Sequence, residues 1–271
     1  IDMNKNLPLL DKKEILKYIS KDNVSSLLAI DIKTVTVSTN DDAKEYLSLV
    51  EKIQPPLAIF AEEQTSGRGR GNKKWISPYG KNIYCSLAWT TELKPHDLDG
   101  LSLCVAVVIA NCLKKITSKK IAIKWPNDLF VSNKKFGGIL IETVSLKKGC
   151  TGIIIGVGLN LIMSVTEGED IDQDWSSLFN EDERINRNKI AGLVLNSIIE
   201  LISKFKKDFF KFYITQYEKL DILQGRECSA LNNNRLLKGM IKGVNERGEL
   251  ILKENNKTYY LRSGEVSLNL N

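Results

Sequence analysis

The sequence predicts an α+β protein: a mixed sheet with flanking helices, followed by a small all-β module. Three observations carry that reading. Apolar, β-branched runs of strand length recur through the first 160 residues, with one long apolar helical stretch among them at 98–116. The strands at 57–62 and 82–89 flank a loop and not a helix, an antiparallel order unlike the strand–loop–helix of a dinucleotide site. Beyond Leu220 the texture changes to short β-like runs at the spacing of a small barrel. At 271 residues, 42% hydrophobic and 27% charged, the chain can bury a full core and hold one domain plus a smaller module.

Residues 1–8 read as a linker. Ile15, Leu16 and Ile19 behind Asp11 predict a short helix over 11–19, and the apolar run 27–37 predicts a strand. Ser38-Thr39-Asn40-Asp41-Asp42 offers successive N-cap types before a helical pattern containing Tyr46, Leu47 and Val50. In the strand 82–89, Ile83, Cys85 and Leu87 alternate with Tyr84, Ser86 and Ala88, which predicts cover on both faces. A strand at 120–125 breaks at Pro126, a turn falls at Asn133-Lys134, and strands 136–144 and 151–161 pair around Lys147-Lys148-Gly149. The acidic stretch 167–183 reads as a mobile loop carrying Trp175 and Phe179. Helical patterns span 187–206 and 208–219, the latter presenting Phe209, Phe212, Tyr213 and Tyr217 as a core face. The β runs 227–230, 236–244, 250–253 and 258–261 break at Asn232-Asn233-Asn234, Arg247-Gly248 and Asn255-Asn256. The boundary between modules is expected at 223–225, giving domains 9–223 and 224–271.

Gln64-Thr65-Ser66-Gly67-Arg68-Gly69-Arg70-Gly71-Asn72-Lys73-Lys74-Trp75 has the chemistry of an anion-holding loop. Alternate glycines permit left-handed angles that aim N–H groups at a ligand, and four cations stand with no acid among them. Arginines fork onto phosphate or carboxylate, Gln64 satisfies a neutral polar group, and Trp75 supplies an apolar lid. Most short Arg/Gly runs are solvated basic loops, and nucleic acid suits the same composition. The loop alone does not decide.

Composition narrows the choice. The net charge of +6 is dispersed, so it favours anionic ligands without implying nucleic acid. His96 is the sole histidine and lies in a polar turn, which removes histidine triads and histidine zinc sites. Cys85, Cys104, Cys112, Cys150 and Cys228 form no CxxC pair and sit in apolar runs, as reduced core thiols of a cytoplasmic protein do. The longest apolar segment, 101–113, is short for a bilayer span, and no signal peptide is visible. Ile1-Asp2-Met3 implies either a native start at Met3 or a missing upstream portion. The residues before the first helical pattern are too few for a DNA-binding fold, so no DNA binding is expected from this chain.

Lys124-Trp125-Pro126-Asn127-Asp128 ends one strand, and Lys135-Phe136-Gly137-Gly138-Ile139-Leu140-Ile141-Glu142 begins another. Gly152-Ile153-Ile154-Ile155-Gly156-Val157-Gly158-Leu159-Asn160 is a buried strand whose glycines permit close backbone approach. With Ser38-Thr39-Asn40 and the glycine-arginine loop, this set resembles the motifs of biotin protein ligases, in order and spacing, from about Leu9 to the C-terminus. The resemblance implies a class II synthetase-like catalytic domain and a C-terminal SH3-like barrel. It also implies two steps: biotin and ATP form biotinyl-5′-AMP, then a lysine of a biotin carrier protein takes the biotinyl group. By that resemblance Ser38, Thr39, Asn40, Gln64, Gly67, Arg68, Gly69, Arg70 and Lys135 bind biotin or its acyl phosphate. Trp75, Asn82, Lys124, Asn160 and Trp175 lie toward the nucleotide, and Arg70, Lys124, Asp128 and Lys135 serve the chemistry. Asn127 and Asp128 either ligate magnesium or, for Asp128, take the acceptor lysine's proton; both are also ordinary turn residues. The implied partners are biotin, ATP with Mg2+, the biotin carrier domain of acetyl-CoA carboxylase, and a second copy in a homodimer.

The loop departs from the family pattern at two positions. Asn72 stands where a glycine is usual and Lys73 where a third arginine is. Asparagine tolerates left-handed angles, and lysine keeps the charge but loses the fork. A lipoate or octanoate transferase shares much of the implied fold, though Gln64 and Ser-Thr-Asn suit a ureido ring better than a plain acyl tail. A repressor fragment that binds DNA through the basic loop is the other alternative; it leaves the buried strand motifs unexplained.

Overall fold

A computed structural model describes residues 8–232, 235–262 and 266–270. The expected linker, Pro8 apart, and the break at Asn233-Asn234 lie outside them. The Asp11 carboxylate accepts from Glu14 N–H and starts α1 (Lys12–Leu16), while Ser20 Oγ accepts from Asn23 N–H and starts α2 (Lys21–Ser26). The helix expected over 11–19 is thus α1, which ends at Leu16, and α2 was not predicted.

β1 (Ala29–Thr36) runs parallel to β2 (Leu57–Gln64), with α3 (Thr39–Ser48) crossing between them. β3 (Ile83–Thr91) returns antiparallel to β2 across the glycine-arginine loop, as expected. A 3-10 turn at Pro95–Leu98 and the left-handed Gly100 (φ 76°) introduce α4 (Leu101–Leu113), shorter than the predicted 98–116. β4 (Ile121–Lys124), β5 (Asp128–Val131), β6 (Lys134–Ser145) and β7 (Thr151–Leu159) complete a seven-stranded mixed sheet in the order β1-β2-β3-β7-β6-β5-β4. The sequence reading missed β5. It is four residues long, and Ser132 and Asn133 at φ 50° and 61° turn it into β6.

The sheet buries both faces. α4 and α5 (Arg187–Ile202) cover one, and α4 alone buries ten of its thirteen residues there. At about 1.5–3 kcal/mol for each fully buried Leu, Ile or Val, α4 contributes strongly to the core beneath the sheet. Pro95–Leu113 is long and apolar enough to cross a bilayer by composition, but its apolar side chains pack in this core. α3 covers the opposite face with Ala43 and Leu47 on Ile59, Ala88 and Ile154.

A buried ion pair fastens the N-terminal segment to this core. Arg187, 2% exposed, pairs with Glu62 at 2.6 Å and donates to the Asn82 carbonyl at 2.9 Å. Glu62 accepts from Leu10 N–H through its other oxygen, and Asn188 clamps Asp11 N–H and the Leu9 carbonyl.

The predicted helix 208–219 is a 3-10 turn, Phe209–Phe212, followed by α6 (Ile214–Glu218). The tighter turn moves Phe210 into the core and leaves Phe212 58% exposed, contrary to the expected face. β8 (Glu227–Asn232), β9 (Arg235–Val244), β10 (Leu250–Glu254), β11 (Lys257–Leu261) and β12 (Val266–Leu270) then form an antiparallel sheet ordered β11-β10-β9-β8-β12. Four of the five strands match the predicted runs; β12 was not predicted. The small sheet accords with the expected SH3-like module, and Ile123 pairs with the connecting chain through Leu220 and Ile222.

Candidate active site

The site lies on the α3 side of the sheet, and the period of two explains why there is room for it. In β7, Ile153, Ile155, Val157 and Leu159 point into the α4–α5 core. Ile154 points the other way onto α3, and the remaining positions on that face are glycine. A β-carbon on Gly158 would stand 2.5 Å from Trp75 Cε2, and one on Gly156 would collide with the Asn40 amide. Bare backbone therefore lets Trp75 and Asn40 lie flat on the strand. Above this floor opens a cleft of about 1000 Å³.

One end of the cleft is a neutral polar corner. Ser38 occupies the N-cap of α3; its carbonyl accepts from Asp41 and Asp42 N–H, and its hydroxyl makes no capping bond. Thr39 donates to Gln64 Oε1 from its backbone N–H at 2.9 Å and its hydroxyl at 3.2 Å, and Gln64 Nε2 donates to Ser77 Oγ at 3.0 Å. The Ser86 hydroxyl lies 2.7 Å from Thr39 Oγ1 and 2.6 Å from Asn40 Oδ1. Each side chain is oriented by the next, so the corner is built before any ligand enters. Ser86 was missed by the sequence reading, although a serine inside a strand buried on both faces was its signal.

The other end is cationic. Gly69 N–H donates to the Lys73 carbonyl at 2.7 Å and Trp75 N–H to the Gly67 carbonyl at 2.8 Å, closing the loop around Gly71 (φ 62°, ψ 36°). The left-handed turn sits on Gly71. Arg70 Nη1 donates to Asn127 Oδ1 at 3.3 Å; burial pushes the Arg70 pKa down while the Asp128 charge opposes that shift. Lys135 pairs with Asp128 at 2.8 Å and stands 5.6 Å over the Trp75 ring. Lys73, Lys74 and Lys124 also line the cleft.

The turn that carries Asn127 is fixed from three sides. Asn127 Nδ2 donates to the Ile139 carbonyl at 2.6 Å, Ser102 Oγ to the Pro126 carbonyl at 3.2 Å, and the Trp125 indole N–H to the Gly248 carbonyl at 3.0 Å. Among the described residues no group of three or more His, Cys, Asp or Glu could hold a metal alone. Asn127 Oδ1 and the Asp128 carboxylate are hard oxygen donors of the kind magnesium takes when phosphates complete its shell, so the residues present fit a shared ion.

Ser38, Thr39, Asn40, Gln64, Gly69, Arg70, Trp75, Lys124, Asn127, Asp128 and Lys135 thus converge on one cleft, as the sequence reading expects. A further expected residue, Arg68, also reaches this cleft, and four others lie outside its lining. The Arg68 guanidinium is turned onto Glu142 and Asp41. Gly67 lies beneath, against Ser77 and the Trp75 carbonyl. Asn82 is fully buried, accepting from Leu161 N–H at 2.9 Å and donating to Tyr84 OH at 3.0 Å; Asn160 is buried beside it. The Asn82 side chain thus ties the chain just after β7 to the start of β3, outside the cleft lining. Trp175 rests on Gly168 outside the lining, and its segment pairs with the Lys135 backbone, whose N–H donates to the Asp174 carbonyl. The loop before it instead places Asp170, Ile171, Asp172 and Gln173 in the lining.

The sequence and the fold are similar to those of known proteins. Residues 33–160 match the biotin/lipoate A/B protein ligase family and residues 224–269 the biotin protein ligase C terminal domain. A bifunctional ligase/repressor BirA of Escherichia coli is 31% identical over 262 residues, covering 97% of this chain and 79% of that protein. A biotin–[acetyl-CoA-carboxylase] ligase of Mycobacterium tuberculosis is 24% identical over 242 residues, 88% of each chain. A solved biotin protein ligase from Aquifex aeolicus, in complex with biotin and ATP, superposes with a TM-score of 0.73 at 27% identity, covering 89% of this chain and 99% of that one.

Proposed function

The chain belongs to the biotin protein ligase family, and from that premise we propose how this cleft activates biotin with ATP and passes it to a carrier lysine. It is an ATP-dependent ligase. The observation that carries the residue-level reading is the distribution of polarity along one cleft: a prebuilt neutral corner at Ser38, Thr39 and Gln64, and a cationic end at Arg70 and Lys135, with Trp75 between them.

A ureido ring has N–H donors and a carbonyl acceptor and no net charge, so it matches the neutral corner. The apolar chain then lies along Trp75 and brings the carboxylate to the cationic end. There it must meet an α-phosphate of the same sign. Two unit charges at 4 Å repel by about 1 kcal/mol in water and about 4 kcal/mol in a partly buried site, so cations have to stand there already. Arg70, held by Asn127, and Lys135, held by Asp128, are those cations; Lys124 serves the phosphates. Magnesium, when bound with ATP, would share oxygens of Asn127 and Asp128 with the phosphates and neutralise them.

In the second step the carboxyl carbon of the adenylate accepts the carrier amine and the C–O bond to AMP breaks. At a reference pKa of ~10.4, roughly one lysine in 2,500 is neutral at pH 7, so the attacking amine needs a proton acceptor. Asp128, a carboxylate in the cleft lining, is assigned that role. The division near residue 223 separates this catalytic domain from the SH3-like module. Cytoplasmic residence, supported by buried free thiols, and a homodimer through the outermost strand β1 complete the proposal.

The experiment is mass spectrometry of a biotin carrier domain incubated with the protein, Mg-ATP and either biotin or lipoate. A biotin-only mass gain at one lysine is expected, with loss of site selectivity in Arg70→Gly. A gain only with lipoate on its own carrier would overturn the substrate assignment.

A further inference from the structure

Arg68 sits in the middle of the anion loop, yet two carboxylates occupy its guanidinium. Nη1 donates to Glu142 Oε1 at 3.1 Å and Nη2 to Glu142 Oε2 at 3.0 Å, a two-pronged fork, and Nη2 also reaches Asp41 Oδ1 at 2.7 Å. These partners come from separate elements: Asp41 from the first turn of α3, Glu142 from the middle of β6. Glu142 Oε2 accepts in addition from Asn40 Nδ2 at 2.6 Å, and Asn40 Oδ1 is the group the Ser86 hydroxyl touches. One chain of polar contacts thus runs from the anion loop through Glu142 and Asn40 into the neutral corner.

We propose that Arg68 is a positioning residue, a latch that locks the anion loop to the Ser38-Thr39-Asn40 turn through Glu142 and Asp41, and not a ligand for the anion. Two geometric facts support it. A guanidinium engaged by two carboxylates has little positive potential left for a third anion. Asp41 and Glu142 both contact the same Nη2, so without the arginine two like charges would face each other across the α3–β6 seam. The repulsion would separate the first turn of α3 from β6 and pull Asn40 off its place over Gly156. The latch rests on the ligase reading for its effect on biotin, but not for its effect on the unliganded protein.

That separation dictates the test. Amide hydrogen exchange is measured on the unliganded wild type, Arg68→Ala, Glu142→Gln and the double variant, together with KM for biotin and kcat for adenylate formation. Arg68→Ala should speed exchange in residues 38–42 and 66–75 and raise KM for biotin about tenfold, with kcat changed less than about twofold. Glu142→Gln removes the stranded charge, so in the Arg68→Ala background it should recover most of both losses. If Arg68 instead binds the anion, Glu142→Gln alone would free it and lower KM, and the double variant would show no recovery; either result overturns the latch. Unchanged exchange in Arg68→Ala also overturns it. Failure of the wild type to form an adenylate would count against the ligase reading, while the exchange data would still decide the latch.

Discussion

Gly158 sets how deeply Trp75 can lie. Any side chain there would enter the indole, and β7 cannot retreat because β3 and β6 pair with it on either edge. Gly158→Ala should therefore expel Trp75 while the sheet survives, because one methyl is small against two ladders of backbone bonds. The expected outcome is a red-shifted tryptophan emission and biotin affinity weakened by about tenfold or more, read by titration calorimetry beside an unfolding curve that barely moves. Biotin affinity equal to the parent's would show that Trp75 does not wall the acyl chain. The same residue-scale logic applies to the two asparagines outside the cleft lining. An Asn reads as a polar surface or ligand residue, but the Asn82 side chain meets the buried Leu161 N–H, which has to be satisfied, and Asn160 lies buried against Asn82.

At the scale of elements, the short connection from α6 to the small sheet carries a half-buried carboxyl. Asp221 accepts from Leu223 N–H at 2.8 Å, while burial raises its carboxyl pKa above the ordinary value and outweighs that bond. A carboxyl raised on folding contributes stability that is complete below its unfolded-state pKa and is lost as pH rises through the folded-state value. The isosteric Asp221→Asn has no such loss. Its unfolding midpoint relative to the parent should accordingly rise from acid toward neutral pH, and parallel curves for the two proteins would show that Asp221 is solvated or paired. Tyr217, whose hydroxyl pKa is also raised by burial, stays neutral throughout that range.

The whole molecule is joined at the cleft. Gly248, at the tip of a turn in the small sheet, lies on Gly100 at the start of α4 and accepts from the Trp125 indole, and Arg247 pairs with Asp99 at 2.9 Å. The C-terminal module thus holds one side of the turn that presents Asn127 and Asp128. Trp125→Phe keeps the apolar packing and leaves the Gly248 carbonyl unpaired, a cost of about 1–3 kcal/mol. We expect a lower urea midpoint and a KM for ATP that rises more than that for biotin, whose polar corner is built without Trp125; equal changes in both would argue against this coupling. Much of the fold and of the site was legible in the sequence. Strand runs, the antiparallel return across the loop, the change of texture after Leu220 and the ordered motifs follow from local periodicity and turn chemistry, which a linear reading captures. Four-residue β5 was not legible, because so short a strand exists only through its neighbours on both edges. Nor were the partners of Arg68, 27 and 74 positions away. Residue types and their periods, which the sequence states outright, determined the class of fold, the family and the contents of the cleft. Tertiary structure alone decided that Arg68 meets Glu142 and Asp41, since sheet register and the α3 crossing bring those two carboxylates beside it.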